Sequence, residues 1–363
     1  MSERQYWVGF NLVKGVGPVR VRQLIEYFGS LREAWQASPA ALRDAGLDRR
    51  ALRSLTETRH RVDLDAELAR LDKLGIAVLT WDDEDYPPLL AELRAVDQAP
   101  PLLYLRGSLT PQDGWAVAVV GTRSVTPYGR QVTRQLAGDL AANGLTIISG
   151  LARGVDAEAH LAALDVGGRT VAVLACGLDT IYPPEHRSLA ARIVQQGALM
   201  SLFPLGAQPV AANFAARNRV MSGLARGVLV TEAGDKSGAL ITAGYALEQG
   251  REVFAVPGNI TAQGSTGTNR LIQDGAHPAL DARDVLDVLN LERVAQYADA
   301  RRALPPMSDA ERAVVERLSA DPLHVDELTQ RCGLPVAEVS SALVTLELKG
   351  MVRQVGPMTY VRA

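Results

Sequence analysis

The chain has 363 residues, of which 47% are hydrophobic and 5% aromatic, and its formal net charge is −3. That length suggests two or three domains. The charge excludes a globally basic nucleic-acid binder but leaves room for a local basic site, and no run of about 18 apolar residues is present to span a bilayer. The opening residues MSERQYWVGF show no basic segment followed by an apolar core, so a cytoplasmic protein without membrane association is expected. Cys176 and Cys332 form neither a metal pattern nor a disulfide framework.

Charge is unevenly placed. Residues 1–62 carry 11 Lys and Arg against 6 Asp and Glu, and residues 63–100 carry 3 against 10. From Pro101 to Leu280 the count is 14 against 12, so an anion site there must come from placement rather than surplus.

In chain order, LVKGVGPVRVRQL, Leu12 to Leu24, predicts two helices joined by a tight turn at Gly15 and Gly17, a helix-hairpin-helix or SAM-like arrangement in an N-terminal helical domain of residues 1–70. Such a turn either offers backbone N–H groups and the nearby Arg20 and Arg22 to a phosphate or is a plain structural hairpin. From Gly75 the pattern changes to short apolar runs bounded by Gly, Pro and Asp: IAVLTW, PLLYLRG, VAVVG, LTIISG, TVAVLACG, ALMSLF, GVLVTEAG and EVFAVPG. These read as buried strands. The stretches Gly129–Asn143, Val155–Val166 and Glu185–Gln196 between them have helical length, so residues 71–298 are expected to form an α/β, extended Rossmann-type, mostly parallel sheet. Pro305 and Pro306 mark a linker, and residues 304–363 read as three helices, opened by a Ser308 cap, followed by a strand pair: a winged helix. Its third helix, Pro335 to Lys349, holds Glu338, Glu347 and Lys349 as its charged residues, too little cation for groove reading, so a protein-contact or regulatory role is expected.

In an open parallel sheet, ligands collect beyond the carboxyl ends of the strands. The segment VAVVGTRSVTPYG puts Gly121, Thr122, Arg123 and Ser124 at such an end. The glycine permits close backbone approach, outward amides of the next helix favour an anion, Arg123 supplies a planar fork, and the hydroxyls donate. It is neither GxGxxG nor GxxxxGK[ST], so dinucleotide or triphosphate binding is not implied. The next strand ends in ISGLARGVD, with Ser149, Gly150, Arg153 and Gly154, and a later one in TEAGDKSGALITA, with Lys236, Ser237 and Gly238. If those strands are neighbours, the turns form one ridge of phosphate seats, which suits a polymer backbone better than a single nucleotide. Loops Cys176–Pro183, Ala212–Leu224 and Pro257–Ala276 face the same way, and Asn218 and Arg219 are either ligand contacts or loop struts. Asp156 and His160, four residues apart, read as a packing pair, and no catalytic set or metal site is recognised.

The ordered motifs GTRSVTPYG, SGLARGVDAEAH, CGLDTIYP, FAARNRVMSGL, EAGDKSGALITA, VFAVPG and GSTGTNRLIQDGA, Gly121 to Ala276, resemble the bacterial DNA-processing protein A family, DprA, also called Smf. The resemblance implies a non-enzymatic protein without cofactor that binds and protects incoming single-stranded DNA, dimerises through the Rossmann core and loads the recombinase RecA during natural transformation, with single-stranded DNA-binding protein as a further partner. It carries DNA contacts to Arg123, Arg153 and Lys236. Ala215 departs from the proline associated with its loop. A second reading is a Rossmann-type nucleotide-cleaving hydrolase using Glu232, although such hydrolases typically show a PGGxGT turn where this chain has EAGDKSG. A third is a winged-helix transcription regulator that senses a nucleotide.

Overall fold

In the computed structural model, which describes residues 3–290, 308–319, 322–348, 351–356 and 358–362, the apolar runs pair into one nine-stranded sheet. Its strands are β1 (Ala77–Thr80), β2 (Leu102–Gly107), β3 (Ala116–Val120), β4 (Thr146–Ser149), β5 (Thr170–Leu174), β6 (Gly197–Ser201), β7 (Gly227–Val230), β8 (Glu252–Ala255) and β9 (His277–Pro278). The spatial order is β1-β2-β6-β5-β4-β3-β7-β8-β9. From β6 to β9 every pairing is parallel, and β1 and β2 are attached antiparallel. Central strands such as β3, AVAVV, are buried at every position because both faces of the sheet are covered, which is why they read as continuous apolar runs rather than alternating ones.

Successive residues of a strand serve opposite layers. Leu102 and Tyr104 of β2 and Ala172 and Leu174 of β5 join one hydrophobic cluster; Leu103, Leu105, Val171 and Val173 join the other. The first cluster also contains the apolar faces of the N-terminal helices, α1 (Arg4–Leu12), α2 (Pro18–Phe28), α3 (Leu31–Gln36), α4 (Pro39–Asp44), α5 (Arg49–Arg61) and α6 (Leu64–Lys73). The N-terminal helices therefore share a core with the sheet, and Tyr104 Oη donates to Asn11 Oδ1 at 3.1 Å across that junction. After a short α7 (Pro88–Ala91), the sheet is interleaved with α8 (Pro127–Ala142), α9 (Val155–Asp165), α10 (Arg187–Gln196), α11 (Ala211–Gly223), α12 (Gly238–Glu248), α13 (Thr266–Gln273) and α14 (Ala282–Val288).

The chain divides into two compact units, residues 1–292 and 293–363. In the second, helices Asp309–Arg317, Val325–Cys332 and Val336–Leu348 accompany a three-stranded sheet of Leu323–His324, Thr359–Arg362 and Val352–Gly356, a winged helix opened by a Ser308–Glu311 capping box. The architecture is thus an α/β Rossmann-type sheet with a C-terminal winged helix. The short strand Leu323–His324 is an element that the sequence reading did not contain, and the Pro305–Pro306 linker and Lys349 lie outside the described residues. No helix among the described residues is long and apolar enough to cross a membrane.

Helix α9 is buried on nearly all sides, and it carries His160 into the core, where Nδ1 meets Thr170 Oγ1 at 2.6 Å while Nε2 has no partner. Burial first, then the positive charges of His186 and Arg217, push its pKa down from 6.5 to about 3. A histidine that is neutral in the fold but protonated in the unfolded chain costs stability as pH falls below 6.5, until it titrates in the fold near 3. His160→Gln is expected to remove about 2 kcal/mol of the stability difference between pH 7 and pH 5, by the linkage relation. Urea denaturation of both proteins at the two pH values measures it; parallel losses in both would show that His160 is not the titrating group.

Candidate nucleic-acid interface

Strand β3 lies between β4 and β7, so the turns after these strands stand side by side on the carboxyl edge of the sheet. From β3 the chain proceeds through α8 to β4 on one side, whereas β7 occupies the other side, which makes the crevice between β3 and β7 a topological switch point. A cleft of about 930 Å³ opens there, lined by Gly121, Thr122 and Arg123 from one turn, Lys236, Ser237 and Gly238 from another, and Phe214, Arg217 and Asn218 from α11.

The amides that a helix start would offer an anion are largely in use. Thr126 N at the start of α8 donates to Glu232 Oε2 at 2.9 Å, and Thr126 Oγ1 accepts from Gly129 N at 3.1 Å. Thr122 N donates to the Glu232 carbonyl at 2.7 Å, and Ser124 N to Thr122 Oγ1 at 3.2 Å. In the second turn, Asp156 Oδ2 accepts from Gly150 N at 3.2 Å and Ala152 N at 3.3 Å. The expectation of outward amides at the first turn is therefore corrected for Thr122, Ser124, Thr126 and Gly129, whose N–H groups meet partners within the protein, Glu232 among them, and Asp156 plays the same part in the turn after β4. The third turn is more open. Ser237 Oγ accepts from Ala239 N at 3.3 Å and keeps its own proton to donate, and Gly238 is exposed at the mouth of the cleft.

The sequence-selected residues separate accordingly. Arg123 and Lys236 are exposed and in no ion pair among the described residues. Ser124 is exposed beside them, outside the cleft lining. Ser149 is fully buried and donates to the Val119 carbonyl at 2.6 Å, so it offers no hydroxyl to solvent. Gly150 is covered by Arg217: a Cβ added there would lie 1.3 Å from Nη1. Gly154 holds a left-handed φ of 76° with its α-carbon against the Thr122 carbonyl, which a side chain would strike at 2.3 Å, and so lets α9 start directly beneath the Arg123 turn. Arg153 opens onto a neighbouring hollow, 65% exposed, and pairs with Glu185 at 2.5 Å. Arg219 is directed away from the cleft, over the Tyr245 ring at 4.3 Å and toward Glu248 at 3.5 Å.

Arg217, which the sequence reading passed over, forms the floor. It is 4% exposed, faces Asp156 Oδ2 at 3.6 Å, donates to Met221 Sδ at 2.9 Å, and leaves Nε without a partner. Burial lowers its pKa, yet a guanidinium stays charged inside proteins. Phe214, Arg217, Asn218 and Met221 follow the i, i+3, i+4, i+7 pattern that puts side chains on one helix face, and all four line the cleft. That periodicity was the signal available for preferring Arg217 to Arg219. Phe214 receives the Arg123 guanidinium at 5.1 Å and that of Arg217 at 5.7 Å. Asp235 is the exposed carboxylate in the lining.

Groups considered for catalysis are engaged elsewhere. Glu232 is 4% exposed, outside the cleft lining, and occupied with the α8 start. Asp156 serves the β4 turn and Arg217, separately from His160. Burial and then Asp179 push the Cys176 thiol up to about 11. No group of three or more potential metal ligands occurs among the described residues. In the N-terminal hairpin, Arg20 donates to the Gly15 carbonyl and pairs with Asp48 at 2.5 Å, and Arg22 pairs with Asp97 at 2.8 Å, so both arginines are engaged by the protein itself.

Fold and site together define a Rossmann-type protein with a cationic switch-point cleft and an appended winged helix. The chain belongs to the DNA recombination-mediator protein A family, which matches residues 77–290, and a DprA winged helix domain matches residues 298–356. It is 37% identical to Protein Smf of Synechocystis over 99% of both chains, and 41% identical to Protein Smf of Escherichia coli over 83% of this chain and 81% of that one. The structure of DNA processing protein A from Streptococcus pneumoniae superposes with a TM-score of 0.68 at 34% identity, over 79% of this chain and 98% of that one. That of DNA processing protein A from Helicobacter pylori, described for its single-stranded DNA binding mode, gives 0.52 at 32% identity, over 59% and 95%.

Removing the Glu232 carboxylate strands the Thr126 amide. Glu232→Ala is expected to lower unfolding free energy by roughly 1.5–3 kcal/mol, the net worth of a hydrogen bond to a charged group, as measured by urea denaturation. A variant as stable as the parent would mean that Glu232 is not the strut described.

Proposed function

We propose that this protein is a single-stranded DNA-binding recombination mediator that holds the DNA backbone along the carboxyl edge of its Rossmann sheet, without catalysing a reaction. The observation that carries the reading is the β4-β3-β7 order, which brings Arg123, Lys236 and the buried Arg217 around one cleft and Arg153 beside it. Separate cations spaced along an edge suit consecutive phosphates of a polymer. The family relatives support the same reading, since the Helicobacter pylori protein is described for binding single-stranded DNA. In this reading the protein acts in the cytoplasm as a homodimer through its core, protects incoming DNA during natural transformation, and loads RecA, with single-stranded DNA-binding protein as a second partner. The winged helix is a protein-contact or regulatory module: the third helix exposes Val336, Glu338, Val344 and Glu347 and no cation among its described residues.

The hydrolase reading is disfavoured by the burial of Glu232 and its bond to Thr126 N.

Titration of a fluorescent oligonucleotide against salt tests the proposal. For about three phosphate contacts to a single strand, log K should fall with log salt at a slope near −2. Arg123→Ala and Lys236→Ala should each flatten the slope by about 0.7; an unchanged slope in both would refute backbone binding at this edge.

A further inference from the structure

The hollow beside the main cleft holds an aromatic ring that backbone binding does not use. Tyr182, at the end of the loop after β5, is 42% exposed and lines this hollow together with Arg123, Arg153, Phe214 and Arg217. Its ring meets Phe214 edge-on, with centroids 6.2 Å apart and planes at 70°, while Phe214 is itself covered by the guanidinium of Arg123. The Tyr182 hydroxyl makes no hydrogen bond among the described residues, and Arg153 lines the same hollow. A half-exposed aromatic ring, packed edge-on against a second ring, thus shares one hollow with two exposed guanidinium groups.

We propose that Tyr182 is a stacking platform for one unpaired nucleobase, set between a phosphate on Arg123 and a phosphate on Arg153. The inference rests on the proposed single-strand binding and adds the place where a base goes. Its chemistry follows from the arrangement. Phosphates drawn to two cations that share a hollow with a ring bring the base they link up to it, and every base has a π-face that an aromatic side chain accepts. Apart from its arginines, Tyr182 and Cys176, the hollow is lined by glycine, alanine, proline and phenylalanine, which offer no side-chain hydrogen bonds to read the edges of a base. The base rests on the ring instead. Stacking of this kind takes any base and requires it to be unpaired and splayed out, so the platform discriminates single strands from duplexes without discriminating sequences. The Arg153–Glu185 pair is no obstacle: both side chains are well exposed, Arg153 at 65% and Glu185 at 48%, and an ion pair in water is readily exchanged for a phosphate.

The test separates base from backbone by comparing oligothymidylate with an abasic strand of the same length, which keeps the phosphates and lacks the bases. With the full-length protein, Tyr182→Ala is expected to weaken binding to oligothymidylate by about 5- to 150-fold, the range for losing one stacked base, with the salt slope unchanged. On the abasic strand, Tyr182→Ala and the parent should bind equally. Tyr182→Phe, which keeps the ring, should bind both as the parent does, and this also controls for folding. Equal weakening of Tyr182→Ala on both strands, or none on either, would overturn the platform. If Arg123→Ala and Lys236→Ala flatten the slope while Tyr182→Ala is silent, the platform alone fails. If neither slope changes, the backbone reading fails with it.

Discussion

Two carboxylates, neither at the surface, determine where the exposed cations of this edge stand. Asp156 accepts from the amides of Gly150 and Ala152 and faces Arg217 on α11, and so ties the turn after β4, the start of α9 and the floor of the cleft into one cluster. Glu232, at the end of β7, reaches across to Thr126 N and ties that strand to the start of α8. Each takes the place an anionic ligand would have at a helix start, where the dipole favours negative charge. The backbone at these turns is thereby ordered by the protein itself, and the cations left at the cleft are side chains: Arg123 and Lys236 in solvent and Arg217 buried.

Burying Arg217 is tolerable because its charge is met by Asp156 and covered by the Phe214 ring; an unpaired guanidinium at that depth would cost several kcal/mol. The same arrangement sets a division of labour along the edge. Glu232 and Asp156 are spent on structure, so they offer little to acid or base chemistry. The α12 start is the least saturated of the turns, with the Ser237 hydroxyl and Lys236 both facing the cleft.

Much of the fold was legible because the buried strands are short apolar runs ended by glycine, and their burial on both faces removes the ambiguity of alternation. The eight runs read as strands correspond to β1 through β8; β9 escaped because His277–Pro278 is two residues long and carries no strand signal of its own. The site was legible at Arg123 and Lys236, whose turns announce themselves by Gly, Ser and Thr. It was not legible at Arg217, where helix periodicity had to be given more weight than adjacency in sequence, nor at Ser149, whose hydroxyl turns inward to the Val119 carbonyl. The Glu232 carboxylate lies 106 residues from the Thr126 amide it meets, and no local pattern shows that contact. Likewise the sequence left the N-terminal hairpin open between a phosphate contact and a plain structural turn, and the pairing of Arg20 with Asp48 and of Arg22 with the distant Asp97 is not readable from that segment. The shared core with Leu102 and Tyr104 is equally invisible in a segment read alone.

The sheet ends at β9 in a histidine and a proline. Proline has no amide hydrogen to donate, and a two-residue margin presents almost no ladder for another strand to join. A second copy of the chain finds almost no template there for lengthening the sheet, and the protein is protected at this margin against open-ended strand-to-strand growth.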